Sequence, residues 1–260
     1  MKALVLCAGY GTRLGALTRD TPKPMLPIAG EPLLAWTLRY LSAYGFTDIA
    51  INLHYRPESI KTYFKDGSAF GVRIHYSLEE VLLGTAGALK RLEAYLRDSE
   101  DFLVLYGDLL IDQDLQAMVQ FHRQRQALGT LLLHQRPGSN SNVQLDADGR
   151  IVTLLERPSP ETQKTIPWPW VNSGVQLLNR GILKYIPDNR PCDLPRDVYM
   201  PLVARERLLG FPLTGYRCAI DSTDRYEEAQ SALTLGRYQF QKPLGARPLA
   251  SSVRRYEEHL

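Results

Sequence analysis

The 260-residue chain is expected to fold as an α/β domain built on a mostly parallel sheet, and three observations carry that expectation. Short unbroken apolar runs, residues 3–7 (ALVLC), 48–53 (DIAINL) and 101–106 (DFLVLY), have the composition of strands covered on both faces. Helical patterns separate them, which implies right-handed βαβ crossovers and parallel neighbours. Glycines follow the first and third runs, at Gly9 and Gly107, and so place turns at the carboxyl ends of strands, where ligands bind in sheets of this kind.

In chain order, residues 32–43 carry Leu34, Leu38 and Leu41 on one helical face, with Pro32 in the first turn and Gly45 beyond the end. Residues 57–65 read as a helix, 72–77 as a strand and 85–96 as an alanine- and leucine-rich helix. Residues 129–135 and 143–155 read as strands, with Asp146-Ala147-Asp148-Gly149 as a turn within the latter. Four prolines between 158 and 169 predict a loop, followed by a strand over 171–178. Residues 194–208 and 225–238 are expected as helices with an extended segment, 209–220, between them. A polar, proline-containing stretch over 241–252 reads as a linker into a charged tail, 253–260.

Composition excludes several classes. With 44% hydrophobic and 23% charged residues and a net charge of +3, the balance is too weak to argue for nucleic acid or an anionic membrane as partner. Cys7, Cys192 and Cys218 are few and widely spaced, which speaks against a disulfide framework or a zinc site and for a reducing compartment; Cys7, inside an apolar strand, reads as an inert buried thiol. No stretch approaches 18 apolar residues, and the N-terminal run is too short for a signal peptide, so a soluble, cytoplasmic protein is expected. The five histidines show no ligand spacing and are expected to be scattered over the surface. A homo-oligomer is left open, because the apolar-poor tail after residue 240 could pack against a sister subunit.

The chemistry concentrates near the N-terminus. Gly9 and Gly11 remove side chains where the backbone turns after the first strand, and bare N–H groups beside Thr12 and the Arg13 guanidinium suit an anion with several oxygens. Lys23 stands between Pro22 and Pro24, so a flexible ammonium is carried on a stiffened loop. Leu14 occupies the place of a dinucleotide fingerprint's third glycine, and the spacing of a P-loop is absent. Asp108, after Gly107, puts a carboxylate at the same sheet edge.

The string AGYGTRLGALTRDTPKPMLPIAGEPLL (residues 8–34) closely resembles the N-terminal signature of the sugar-phosphate nucleotidylyltransferases, which join a sugar 1-phosphate to a nucleoside triphosphate and release pyrophosphate. The resemblance continues through later motifs and covers most of the chain. It implies a Rossmann-like three-layer nucleotidyltransferase fold over residues 1–240, with a nucleotide-binding half of about 1–125, a sugar-binding half of about 126–240, and 241–260 as linker and tail. By the resemblance, Asp108 is the aspartate of a Gly-Asp motif that binds magnesium, and Asp221 is the second metal ligand, although Ser222 and Asp224 stand where the family has glycine and proline; Asp224 could equally cap the helix beginning near Arg225. Leu83-Gly84-Thr85-Ala86-Gly87 looks like the stretch that follows the base-binding segment, where small residues at a helix start admit a flat ring and the helix N-terminus favours negative charge. Glu79 before it could accept from the N1–H and amino group of guanine, a lean toward GTP. Glu156-Arg157-Pro158 resembles a Glu-Lys-Pro motif whose members meet a sugar hydroxyl and the sugar phosphate, and Asn172-Ser173-Gly174 resembles the Asn-Ala-Gly lining of the sugar pocket.

The expected activity is therefore magnesium-dependent transfer of a nucleoside monophosphate, from GTP by preference, to a mannose- or heptose-like 1-phosphate. The β/γ-phosphates are assigned to Arg13 and to the Gly9, Gly11 and Thr12 backbone, with Ala8 also nucleotide-binding, and the α-phosphate and incoming sugar phosphate to Lys23. Alternatives are a uridylyl-, thymidylyl- or cytidylyltransferase, or a non-catalytic homologue that binds a nucleotide sugar.

Overall fold

β1 (Lys2–Leu6) sends Ala3 and Val5 to one buried face and Leu4 to the other, which is why its run is apolar without interruption. The computed structural model describes residues 1–136, 139, 141–188 and 190–239; the expected linker and tail, 241–260, lie outside the described residues. The same two-sided burial recurs in β2 (Asp48–Leu53) and, beyond β3 (Arg73–Leu78), in β4 (Asp101–Tyr106), where Leu103 and Leu105 oppose Phe102 and Val104. The later strands are β5 (Leu109–Ile111), β6 (Gly129–Gln135), β7 (Ser141–Leu145), β8 (Ile151–Glu156), β9 (Trp170–Asn179), β10 (Leu208–Pro212) and β11 (Arg217–Ala219).

A nine-stranded sheet runs β8-β7-β9-β4-β1-β2-β3, with β6 against β9 and β10 beyond β6. Its central strands β4, β1, β2 and β3 are parallel, and β9 joins them antiparallel to β4. The larger helices are α1 (Leu33–Ala43), α2 (Pro57–Phe64), α3 (Gly84–Arg91), α4 (Leu115–Gln124) and α5 (Thr223–Thr234). Leu34 and Leu38 of α1, Ile60 of α2 and Met118 of α4 cover one sheet face, while Ala86 and Leu89 of α3 cover the other with Leu194 and Tyr199. The expected three-layer arrangement follows.

A third, smaller cluster decides where the glycine loop points. Leu14, Leu26, Ile28 and Leu33 pack with Leu110 of β5, Ile220 and Ala229 of α5. The Tyr226 hydroxyl and Gln230 Nε2 then donate to the Pro27 carbonyl at 2.7 and 2.9 Å. Residues 12–34 are thereby folded back over the carboxyl ends of the strands.

Several expected elements differ, each for a local reason. The helix expected over 85–96 breaks at Leu92 into α3 and a turn at Glu93–Leu96. The one expected over 194–208 is a wide turn at Leu194–Tyr199 followed by Met200–Leu202, because Pro195 and Pro201 supply no amide donors, and Leu208 already pairs with Gly129 in the sheet. Within the expected loop 158–169, Ser159 caps a short helix, Pro160–Thr165, by accepting from Thr162 N. α4, for which no expectation was drawn from residues 112–128, is capped by Asp114, which accepts from Gln116 and Ala117 N. At α5 the cap is Ser222, which accepts from Arg225 N at 3.3 Å, rather than Asp224.

Gly107 is demanded by packing. A Cβ there would sit 2.5 Å from Cys7 Sγ and 2.8 Å from the Leu6 carbonyl oxygen, and backbone cannot retreat from it. Gly107→Ala is expected to destabilise the fold by about 1–3 kcal/mol, seen as a lower urea midpoint at unchanged slope.

Candidate functional site

A cavity of about 300 Å³ opens at the carboxyl ends of β1, β2 and β4, floored by Ala8, Gly9 and Gly11 and walled by Lys23, Asp108 and Tyr106. Gly11 holds a left-handed conformation at φ 69°, and its carbonyl is anchored by Leu14 N at 3.1 Å and Thr18 Oγ1 at 2.9 Å. Gly9 differs. A Cβ there would meet nothing within 4 Å, so folding leaves the position free and the space above it belongs to the cavity.

Two crossed ion pairs flank this floor. Lys23, with a side chain only 10% exposed, places Nζ 3.1 Å from Asp108 Oδ2; Arg13, 70% exposed, places Nη1 3.5 Å from Asp221 Oδ2. Asp108 and Asp221 are neighbours because β5 and β11 pair antiparallel, and Ile220 N donates to the Asp108 carbonyl at 2.8 Å. Residues 13, 23, 108 and 221 therefore share one edge of the molecule. Among the described residues no group of three or more His, Cys, Asp or Glu side chains could hold a metal alone. Two carboxylates, each engaging a cation through one oxygen, offer oxygen donors of the chemistry a hard divalent ion takes.

Glu79 is buried but not idle. Its Oε1 accepts from Asn52 Nδ2 at 2.8 Å and its Oε2 from Leu83 N at 3.0 Å, while Asn52 Oδ1 accepts from Cys7 N at 2.8 Å. The Glu79 carbonyl meets His54 Nδ1, and His54 Nε2 meets the Tyr10 hydroxyl, both at 2.8 Å. Glu79 thus lines the cavity and also ties the ends of β1, β2 and β3 together. A lone amide inside the apolar run DIAINL was the available signal for Asn52. Nothing in the sequence marked Tyr106 or Asp193, which also line the cavity.

Gly84 and Thr85 line the same cavity, but the start of α3 is already occupied by protein. The Cys192 carbonyl accepts from Ala86 N at 2.8 Å and Gly87 N at 3.0 Å, and Asp193 Oδ1 accepts from Thr85 N at 3.3 Å. The N–H groups at the start of α3 thus take their acceptors from residues 192–193, while Gly84 and Thr85 still face the cavity. Gly84, at φ 75°, must be glycine because a Cβ would lie 2.6 Å from the Cys192 carbonyl oxygen.

Glu156, Arg157, Asn172 and Gly174 are not among the residues that line the cavity, although Glu156 lies near Asp193 and Gly174 against Tyr106. Burial pushes the Glu156 carboxyl up, with the nearby Asp193 charge adding to the effect. Arg157 is largely exposed, its Nε 4.0 Å from Glu156 Oε1. β9 slips register between Asn172 and Gln176; at that bulge Asn172 Oδ1 accepts from Gly174 N at 3.0 Å, and Gly174, at φ 83°, packs against Leu109 and the Tyr106 ring. The Asn-x-Gly pattern thus shapes the strand as well as presenting a side chain.

The histidines are not uniformly superficial. His122 is only 2% exposed, with Nδ1 2.8 Å from Thr130 Oγ1, and half-buried His134 places Nδ1 2.9 Å from Ser173 Oγ. Cys7 fits its expected role: it is buried, and burial raises its thiol.

Residues 2–217 match the Nucleotidyl transferase family. The chain is 36% identical over 217 residues to the UTP–glucose-1-phosphate uridylyltransferase of Synechocystis sp. and 35% identical over 204 residues to the mannose-1-phosphate guanylyltransferase of Mycobacterium tuberculosis. Each alignment covers 78% of this chain and 55% of the relative, so the chain spans about half the length of the curated relatives it matches. The crystal structure of HddC from Yersinia pseudotuberculosis complexed with GMP-PN superposes with a TM-score of 0.75 at 22% identity, over 89% of this chain and 99% of that one. A UDP-glucose pyrophosphorylase complexed with UDP-glucose gives 0.77 at 21% identity, over 90% and 98%. These similarities establish the nucleotidyltransferase fold. Among the described residues no helix is long and apolar enough to cross a membrane.

One pH dependence follows from His134. Burial, then the charges of Arg217, Arg136 and Arg225, hold its imidazole down at about 4, against about 6.5 in an unfolded chain. Between those values the unfolded state binds more protons, so stability is lost as pH falls from about 6.5 to 4. His134→Asn is expected to flatten that loss, measured as urea midpoints at pH 7 and pH 4.5.

Proposed function

The chain belongs to the Nucleotidyl transferase family, and from that premise we propose that it transfers a nucleoside monophosphate from a nucleoside triphosphate to a sugar 1-phosphate, releasing pyrophosphate. The observation that carries this reading is the open floor at Gly9, with the Lys23 ammonium and the Asp108 carboxylate held beside it. The bare loop accepts the β/γ-phosphates on backbone N–H groups, and Arg13 closes over them from the solvent side. Lys23 meets the α-phosphate and the incoming sugar phosphate. A sugar phosphate is already an oxyanion nucleophile, so no residue need remove a proton; alignment and cationic stabilisation supply the rate. Asp108 and Asp221 would hold Mg²⁺, which would supply Lewis-acid neutralisation of the charge that builds on the departing pyrophosphate.

GTP and a mannose- or heptose-like 1-phosphate remain the favoured substrates. Support for guanine comes from Glu79 in the cavity wall, whose oxygens each retain a lone pair beyond the bonds to Asn52 and Leu83, and from the guanylyltransferase among the relatives. The uridylyltransferase relative makes UTP the principal competitor. Glu156, Arg157 and Asn172 are assigned to the sugar phosphate.

Pyrophosphate release measured with each of the four triphosphates against a panel of sugar 1-phosphates is expected to peak with GTP; a maximum with UTP reassigns the base, and no release with any pair refutes the transfer. Lys23→Ala is expected to lose roughly 100–1,000-fold in kcat while remaining folded. Gly9→Ala separates folding from binding. Its urea midpoint is expected to equal that of the unaltered protein, because its Cβ meets nothing, while triphosphate binding measured by calorimetry weakens as the methyl enters the cavity.

A further inference from the structure

The cavity accounts for the charges at one edge of the sheet, and the opposite edge holds another set. β9 is antiparallel to both β4 and β6, so β6 runs in the direction of β4, and β10 runs parallel to β6. The N-terminal ends of β6 and β10 therefore lie at the edge away from Asp108. A cleft of about 510 Å³ opens there, and four arginines, Arg125, Arg150, Arg205 and Arg207, line it.

Two of its acidic neighbours already hold hydrogen bonds that leave the arginines unpaired. Asp146 Oδ1 accepts from Asp148 N at 3.0 Å and from Arg150 N at 2.9 Å, and Glu206 accepts from the Tyr185 hydroxyl. Among the described residues none of the four guanidinium groups forms an ion pair. Arg125 and Arg150 each spend a terminal nitrogen on a backbone carbonyl, of Asp148 and Glu206 respectively, and the Nε of each is buried without an acceptor. Buried donors in folded proteins have partners, so these two guanidinium groups are short of acceptors, and each keeps a terminal nitrogen, without a protein partner among the described residues, that an incoming anion can meet. The planar guanidinium fork fits tetrahedral oxyanions, with two parallel N–H groups to two oxygens. The carboxylates of Asp146 and Asp148 on the flank oppose an extended polyanion and limit the ligand to a compact one.

We propose that this cleft is a second anion site that takes a single phosphate group, free or carried on a small metabolite, at the sheet edge remote from the cavity. The inference rests on the cleft alone and does not depend on the transfer reaction.

The test reads the orphaned donors themselves. Protein labelled with ¹⁵N-arginine is titrated with inorganic phosphate and, separately, with glucose 6-phosphate at constant ionic strength, following the Nε–H resonances that Arg125→Lys and Arg150→Lys assign. Both resonances are expected to shift saturably, equally in the unaltered and Lys23→Ala proteins. In Arg150→Lys the midpoint read at Arg125 should rise by roughly tenfold. Saturation by free phosphate at least as tightly assigns the site to the ion, and tighter saturation by glucose 6-phosphate assigns it to a phosphorylated metabolite. Flat titrations with both, or an equal shift from potassium chloride, overturn the proposal.

Discussion

The contact between Lys23 and Asp108 is the constraint on which the rest of the site depends. It spans 85 positions of sequence and joins a stiffened loop to the end of a central strand, at 3.1 Å. Neither charge is cheap to leave alone there, since the ammonium is nearly buried and the carboxylate about one-quarter exposed. Each therefore holds the other in place. Such a pair is poor evidence for net stability, because desolvation offsets the attraction; its value lies in fixing where two charged groups stand before a ligand arrives.

That pair forms only because apolar packing delivers Lys23 to it. Leu14, Leu26, Ile28 and Leu33 bury themselves against Leu110, Ile220 and Ala229, and α5 adds two hydrogen bonds to the Pro27 carbonyl. The segment carrying the charges is thus held by groups that carry none. On the opposite wall the order is reversed, and a polar chain does the holding: Cys7 N, Asn52, Glu79 and Leu83 N bridge three strand ends in a largely water-excluded setting, where satisfied hydrogen bonds are strong and orphaned ones costly. A cavity with one wall fixed by packing and the other by hydrogen bonds is largely formed in advance.

What could be read from the sequence divides along the same line. Two-sided burial leaves a direct trace, so β1, β2 and β4 and the edge they define were legible as apolar runs ending in turns. The glycines and the proline-braced lysine were legible because their backbone consequences are local. Contacts set by tertiary packing were not. Nothing near Gly84, Thr85 and Gly87 in sequence showed that the Cys192 carbonyl, more than a hundred positions away, takes the Ala86 and Gly87 N–H groups. Ser159 before Pro160 was a readable cap, outweighed by the proline count around it. Histidine burial was equally invisible: His134 owes its setting to Ser173, Arg217 and Arg225, far along the chain, and His122 to Thr130 on the strand that follows its helix.

Charge balance ties these strands together. At rest, two cations answer two carboxylates, Lys23 with Asp108 and Arg13 with Asp221. On the proposed reading, a triphosphate entering the glycine floor brings several negative charges and draws Lys23 and Arg13 toward its oxygens. Asp108 and Asp221 would then be left uncompensated at the moment when the local charge is most negative, a situation a partly desolvated site does not tolerate. On that reading Asp108 and Asp221 would hold a divalent cation in place of their lost partners, and its charge would also offset that of the phosphates. The ion pairs of Lys23 and Arg13 keep two aspartates together at one sheet edge by compensating both charges.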